Sequence, residues 1–238
     1  MSLTPLPWLF PHPVRLHTSE KVKCSHYLTS QRAGLSNEWM SVLQKPTTGR
    51  IGFFGGTFDP PHIGHVSIAK QAINEANLDH LVICPAYHAP LRHQQPILPV
   101  EVRVKMLELI ASENDKINLS TIEIEQQKTC YTYNTLLKIR EQFPSVELKV
   151  ILGTDQFEKL TQWKHCEELA SICQFLVFAR HSHQLSPPSI TNLSYQLMNN
   201  ELIDCSSTEI RNRIKNNQSI EEMIPDIAYP TFKKFLSN

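Results

Sequence analysis

Glycine is scarce in this chain. There are seven in 238 residues, and four of them, Gly52, Gly55, Gly56 and Gly64, fall within thirteen positions. A glycine-poor chain that concentrates glycine in one place needs its backbone to approach something closely there. An excess of charge of either sign is also missing: Lys and Arg number 23, Asp and Glu 23. That balance argues against a duplex nucleic-acid binder, whose phosphate contacts require clustered cations. The six cysteines, Cys24, Cys84, Cys130, Cys166, Cys173 and Cys205, include no CxxC pair. They read as reduced thiols of a cytoplasmic protein rather than a disulfide framework or a metal cluster. No run approaches the ~20 apolar residues of a membrane span. The N-terminus, interrupted by Pro5, Pro7, Pro11 and Pro13, lacks the basic start and continuous apolar stretch of a secretory leader. Neither a P-loop nor a GxGxxG fingerprint is present.

What is present suits one domain, or one domain plus an appendage, with 41% hydrophobic and 19% charged residues. Residues 1–49 hold five of the sixteen prolines, show no sustained period and carry more basic than acidic residues. They read as an N-terminal extension, poorly ordered or accessory. An organellar leader and a translational start at Met40 are the other readings of this stretch. From residue 50 strands and helices alternate. Arg50–Phe54 reads as a short buried strand and Ile63–Ala76 as a helix with helical apolar spacing. Leu81–Cys84 is a second strand and Val100–Ala111 an amphipathic helix. Ile117–Ile124 reads as short strand-like segments, and Thr132–Gln142 as a helix ended by Phe143-Pro144. Leu148–Leu152, Phe175–Phe178 and Glu201–Cys205 complete the expected strands, with helices near Thr208–Lys215 and Pro230–Leu236. This order predicts an α/β fold, Rossmann-like and doubly wound, with a mainly parallel sheet and helices on both faces. Ligands bind such sheets beyond the carboxyl ends of the strands.

The segment Gly55-Gly56-Thr57-Phe58-Asp59-Pro60-Pro61-His62-Ile63-Gly64-His65 follows the first strand. It reads as a Gly-Gly turn opening into a helix whose N–H groups attract an anion. His62 and His65, three residues apart, share a face of the first helical turn and are placed to carry charge developing on a phosphoryl group. Ser206-Ser207-Thr208 before an apolar-periodic helix reads as an N-cap region, with Arg211 on its first turn.

Together these residues resemble the nucleotidyltransferase superfamily with the His-x-Gly-His signature. Ser206-Ser207-Thr208-Glu209-Ile210-Arg211 is similar to its second signature. Gly153-Thr154-Asp155 with Trp163, and Tyr131–Leu136, resemble the bacterial nicotinate-mononucleotide adenylyltransferase branch. The likeness runs in order from about residue 50 to the end, making 50–238 the nucleotidyltransferase domain. It implies adenylyl transfer from ATP to nicotinate mononucleotide, giving deamido-NAD and pyrophosphate, with Mg²⁺ accompanying ATP. The implied catalytic residues are His62, His65 and Arg211. The implied ATP site adds Gly55, Gly56, Thr57, Phe58, Gly153, Asp155, Ser206, Ser207 and Thr208. Ala86, Arg92, Tyr131, Thr132 and Trp163 are implied to meet the mononucleotide, and no protein metal ligand is named.

Bland readings accompany these. Thr132 serves as a helix N-cap, Asp155 as a cap at a strand-to-helix turn, and Trp163 as core. The branch's usual Pro-Pro-His-Lys stands here as Ala89-Pro90-Leu91-Arg92: Arg92 keeps the charge, while Leu91 replaces a histidine and so departs from the pattern, with His88 and His93 the nearby histidines that could compensate. Arg103 fits an arginine common in the family, with a structural role as its alternative. Competing functions are a sibling enzyme using nicotinamide mononucleotide, phosphopantetheine or a cytidylyl substrate, and a non-catalytic nucleotide-binding protein.

Overall fold

The computed structural model describes residues 49–91, 95–179 and 185–237. The extension assigned to residues 1–49 lies outside these apart from Gly49, as do Arg92 and His93. Six strands form one sheet in the order β3-β2-β1-β4-β5-β6, with every pairing parallel. They are β1 (Gly49–Gly56), β2 (His80–Pro85), β3 (Ile117–Leu119), β4 (Val146–Gly153), β5 (Gln174–Phe178) and β6 (Tyr195–Met198). Parallel pairing demands crossovers, and helices supply most of them. α1 (Ile63–Glu75) leads from β1 to β2, and α2 (Val100–Ala111) from β2 to β3. The short α3 (Ile122–Glu125) and α4 (Thr132–Gln142) lead to β4. α5 (Thr154–Phe157) and α6 (Cys166–Ile172) precede β5, and α7 (Ser207–Lys215) and α8 (Tyr229–Leu236) close the chain.

The strands are continuous apolar runs because both sheet faces are covered. Side chains alternate between the faces with a period of two. Phe54 therefore joins a core with Ala69, Leu107, Ile210 and Phe232, contributed by α1, α2, α7 and α8. Its neighbour Phe53 joins the opposite core with Leu136, Ile139, Leu169 and Val177, under α4 and α6. Strand order reverses between β1 and β4, which leaves a crevice at their carboxyl ends. No helix among the described residues is long and apolar enough to cross a membrane.

Three local expectations are corrected. The last strand is Tyr195–Met198, not Glu201–Cys205. As an edge strand it buries only Met198, and its exposed Tyr195 and Leu197 hide the alternation that would mark it. Of Ile117–Ile124, only Ile117–Leu119 is strand; Ile122 begins α3. The Gly-Gly pair is not a left-handed turn, since β1 extends through Gly56 and the positive φ falls on Phe58, at 49°. The two glycines are needed for space instead. A Cβ at Gly55 would stand 2.9 Å from the Phe53 ring, and one at Gly56 3.2 Å from the Phe58 ring.

Phe232 is fully buried where α8 packs on α2. Phe232→Ala should lower the unfolding free energy by about 3–5 kcal/mol, the usual cost of emptying an aromatic core position. Urea denaturation checks this, and a loss below about 1 kcal/mol would show that α8 adds little to the core.

Candidate active site

The crevice between β1 and β4 is a cavity of about 730 Å³. Its walls come from both sides of the sheet. On one side stand Gly55–Asp59, His65 of α1, and Ser207, Thr208 and Arg211 of α7. Facing them are Glu123, Tyr131, Thr132, Trp163 and Lys164, with Gly153 and Asp155 at the end of β4 and Ala86, Ala89, Pro90 and Leu91 after β2.

The start of α1 is fixed by its own histidines. His62 is the N-cap residue and His65 stands three positions on. The His62 backbone N–H donates to His65 Nδ1 at 3.2 Å. A ring nitrogen that accepts this bond does not carry the ring proton, so the neutral His65 ring holds it on Nε2. The two rings pack against each other, centroids 3.7 Å apart and planes tilted by 39°. They are not equivalent in position: His65 lines the cavity, whereas His62 is buried, 4% exposed, and does not. Gly64 makes this packing fit. A Cβ there would stand 3.0 Å from the His62 ring and 3.4 Å from the carbonyl oxygen of Cys205.

The start of α7 is bound to the same loop. Arg211 Nη1 donates to the Asp59 carbonyl at 2.7 Å, and Nη2 to Thr208 Oγ1 at 2.9 Å. Ser207 Oγ donates to the Pro60 carbonyl at 2.9 Å. The buried Asp59 carboxylate accepts the backbone N–H groups of Ile97 and Leu98 at 3.0 and 2.8 Å. Ser206 acts on the helix itself: its hydroxyl accepts the Glu209 N–H at 3.0 Å and does not line the cavity. Two helix starts, each presenting N–H groups, thus open on one side of the cavity beside an imidazole and a guanidinium. Such an arrangement attracts phosphate.

Arg103, wholly buried, joins the two loops that carry these walls. Its Nη1 donates to the Thr57 carbonyl at 2.7 Å and to the Ala86 carbonyl at 2.9 Å.

The opposite wall is aromatic. Tyr131 is the N-cap residue of α4, so Thr132 is its first helical residue rather than its cap. Likewise Gly153, not Asp155, caps α5, and the Asp155 carboxylate accepts from Gln156 at 3.1 Å. Lys164 Nζ lies 4.7 Å from the centre of the Tyr131 ring, and the rings of Tyr133 and His165 approach to 5.1 Å. Glu123 is buried, and its carboxylate accepts the Thr135 hydroxyl at 2.8 Å. Burial pushes its pKa up, and the Thr135 hydrogen bond opposes that shift only in part. Burial likewise raises the neighbouring thiols: Cys84, well above its usual range with the Glu123 charge adding to the effect, and Cys130.

Asp59, Glu123 and Lys164 were not singled out from the sequence. A lone Glu between Ile122 and Ile124 was the available signal for Glu123. Asp59 lay within the glycine-rich motif itself.

Fold and site together define a nucleotide-binding α/β enzyme. The cytidylyltransferase-like family model matches residues 53–213. A Clostridium novyi protein named "Probable nicotinate-nucleotide adenylyltransferase" is 33% identical over 185 residues, 74% of this chain and 92% of its own length. A Staphylococcus epidermidis protein of the same name is 34% identical over 178 residues, 74% and 90% of the two chains. The Plasmodium falciparum nicotinic acid mononucleotide adenylyltransferase complexed with NaAD shares the fold at a TM-score of 0.62 and 19% identity, covering 79% of this chain and 96% of that one. The chain belongs to the cytidylyltransferase-like family of nucleotidyltransferases, in its nicotinate-nucleotide adenylyltransferase branch.

The raised Glu123 pKa has a definite sign. The folded state holds the proton to higher pH than the unfolded chain does. The stability tied to that proton is present at low pH and is lost as pH rises through the raised value. The variant Glu123→Gln lacks this dependence. Its stability relative to the parent should therefore climb as pH increases from about 4, the ordinary Glu range, toward neutrality. Thermal melts across pH test this, and parallel profiles for the two proteins would contradict it.

Proposed function

We propose that the protein transfers the adenylyl group of ATP to nicotinate mononucleotide, giving deamido-NAD and pyrophosphate. One observation carries the reading: a single cavity joins two phosphate-attracting helix starts on one side to an aromatic compartment on the other. The names of the relatives from Clostridium novyi and Staphylococcus epidermidis agree with it, and a Plasmodium falciparum neighbour of the same fold was solved with NaAD. Residues 50–238 act as the catalytic domain, working in the cytoplasm, and residues 1–49 as an accessory extension.

In this reading a phosphate oxygen of the mononucleotide attacks the α-phosphorus of ATP. The new P–O bond forms as the bond to the bridging β-oxygen breaks, and pyrophosphate leaves with that electron pair. The nucleophile is already an anion, so no strong base is needed, and catalysis consists of positioning and charge stabilisation. His65 Nε2–H donates to the reacting phosphoryl group, and the adjoining His62 ring holds it in place. Arg211, Ser207, Thr208 and the backbone from Gly55 to Phe58 hold the triphosphate, while Ser206 serves by capping α7. Gly153 and Asp155 meet the nucleoside. Ala86, Arg92, Tyr131, Thr132 and Trp163 receive the mononucleotide.

Among the described residues no group of three His, Cys, Asp or Glu side chains is placed to hold a metal ion. The phosphate side of the cavity is rich in hydrogen-bond donors, which fit phosphate oxygens rather than a cation. Mg²⁺ accompanying ATP would be held by its phosphates and water, and the chemistry it would supply is to neutralise their charge.

His65→Ala should lower kcat about 10²- to 10³-fold, the usual cost of a lost donor to a developing charge. Pyrophosphate release by the purified, folded variant is the measurement, and unchanged turnover would remove His65 from the mechanism. The same assay with both pyridine mononucleotides should give the higher kcat/KM for the acid. A preference for the amide would overturn the substrate assignment.

A further inference from the structure

We propose that Lys164 is the residue that selects the acid form of the pyridine mononucleotide over the amide. The inference rests on the adenylyl-transfer reading and extends it to the choice of second substrate.

Lys164 borders the aromatic compartment, next to Trp163 in the chain and over the face of Tyr131. A cation over an aromatic face is held there by the ring's quadrupole. The turn that carries it is anchored as well: His165, in the left-handed conformation at φ 62°, packs its ring against Tyr133. Tyr131 and Tyr133 both belong to the start of α4, so two aromatic contacts bind the Lys164–His165 turn to that helix end. The ammonium group is thus directed to the compartment while remaining accessible.

No carboxylate among the described residues lies within ion-pair distance of Lys164. Of the two acids in this wall, Glu123 is engaged by Thr135 and its burial favours the neutral form, and Asp155, at the end of β4, accepts from Gln156. This end of the cavity therefore carries a positive charge that the protein leaves unmatched there. The N-terminus of α4, an eleven-residue helix that begins at the same wall, adds to the positive field. A planar ring between aromatic walls fits this compartment, and an anionic substituent on it would meet the Lys164 charge. A carboxylate gains a charge-assisted contact with Lys164, and a neutral amide does not.

The test compares wild type, Lys164→Met and Lys164→Arg with nicotinate and nicotinamide mononucleotides, by pyrophosphate release. Lys164→Met should reduce the acid-to-amide ratio of kcat/KM about tenfold, the typical value of one hydrogen bond to a charged group. The loss should fall on the KM of the acid, and Lys164→Arg should restore most of the ratio. Raised salt should weaken the wild-type preference and have less effect on the Met variant. If wild type discriminates and Lys164→Met keeps the full ratio, or both substrates suffer equally, Lys164 is not the selector. If wild type turns over neither mononucleotide, the parent reading fails and takes this assignment with it.

Discussion

The site depends on a clasp between two segments far apart in the chain. Arg211 and Asp59 are separated by 152 residues, yet the guanidinium donates to the Asp59 carbonyl at 2.7 Å. Ser207 repeats the connection at Pro60, and the Asp59 carboxylate is held in turn by two backbone N–H groups. Backbone carbonyls and a buried carboxylate are acceptors that would be costly to leave without partners. The arginine and Ser207 thus do two things: they satisfy the Asp59 and Pro60 carbonyls, and in doing so they bring the starts of α1 and α7 to one edge of the sheet. Neither helix start alone would surround a triphosphate.

A second arginine, wholly buried, ties two of the cleft's loops together. Arg103 ties the loop after β1 to the loop after β2 through two carbonyls. Arginine suits this because its charge is permanent and its planar head can address two acceptors at once. The two guanidinium groups divide the work: one draws the last third of the chain onto the first loop, and the other keeps neighbouring strand ends in fixed register. The cavity's loops and helix starts are then held together by hydrogen bonds of the chain's own.

The architecture was legible in the sequence where burial was complete. β1, β2, β4 and β5 are unbroken apolar runs because both sheet faces are covered, and the punctuation after each marked the ligand edge. Legibility failed where burial was partial. β6 shows its neighbours too little apolar surface to betray a period, and the more apolar Leu202-Ile203 drew the assignment instead. In the site, most of the motif residues named from the sequence line the one cavity, because they follow the strand ends and open the helices there. Gly55 and Gly56 were readable as needing space, although the reason is two adjacent phenylalanine rings rather than a turn. Glu123 and Lys164 were not readable. Their place in the cavity wall arises only when α3, α4 and the turn after Gln162 meet, and no local pattern encodes that meeting.

Gly64 has a consequence beyond helix formation. The missing side chain lets the Cys205 carbonyl and the His62 ring approach the same point on α1. Because Cys205 directly precedes the cap of α7, this point acts as a gauge block between the two helix starts. The approach of the two helix starts is thereby limited by the thickness of a backbone. A methyl group at this position would act as a shim, widening the gap for every ligand that must touch both ends.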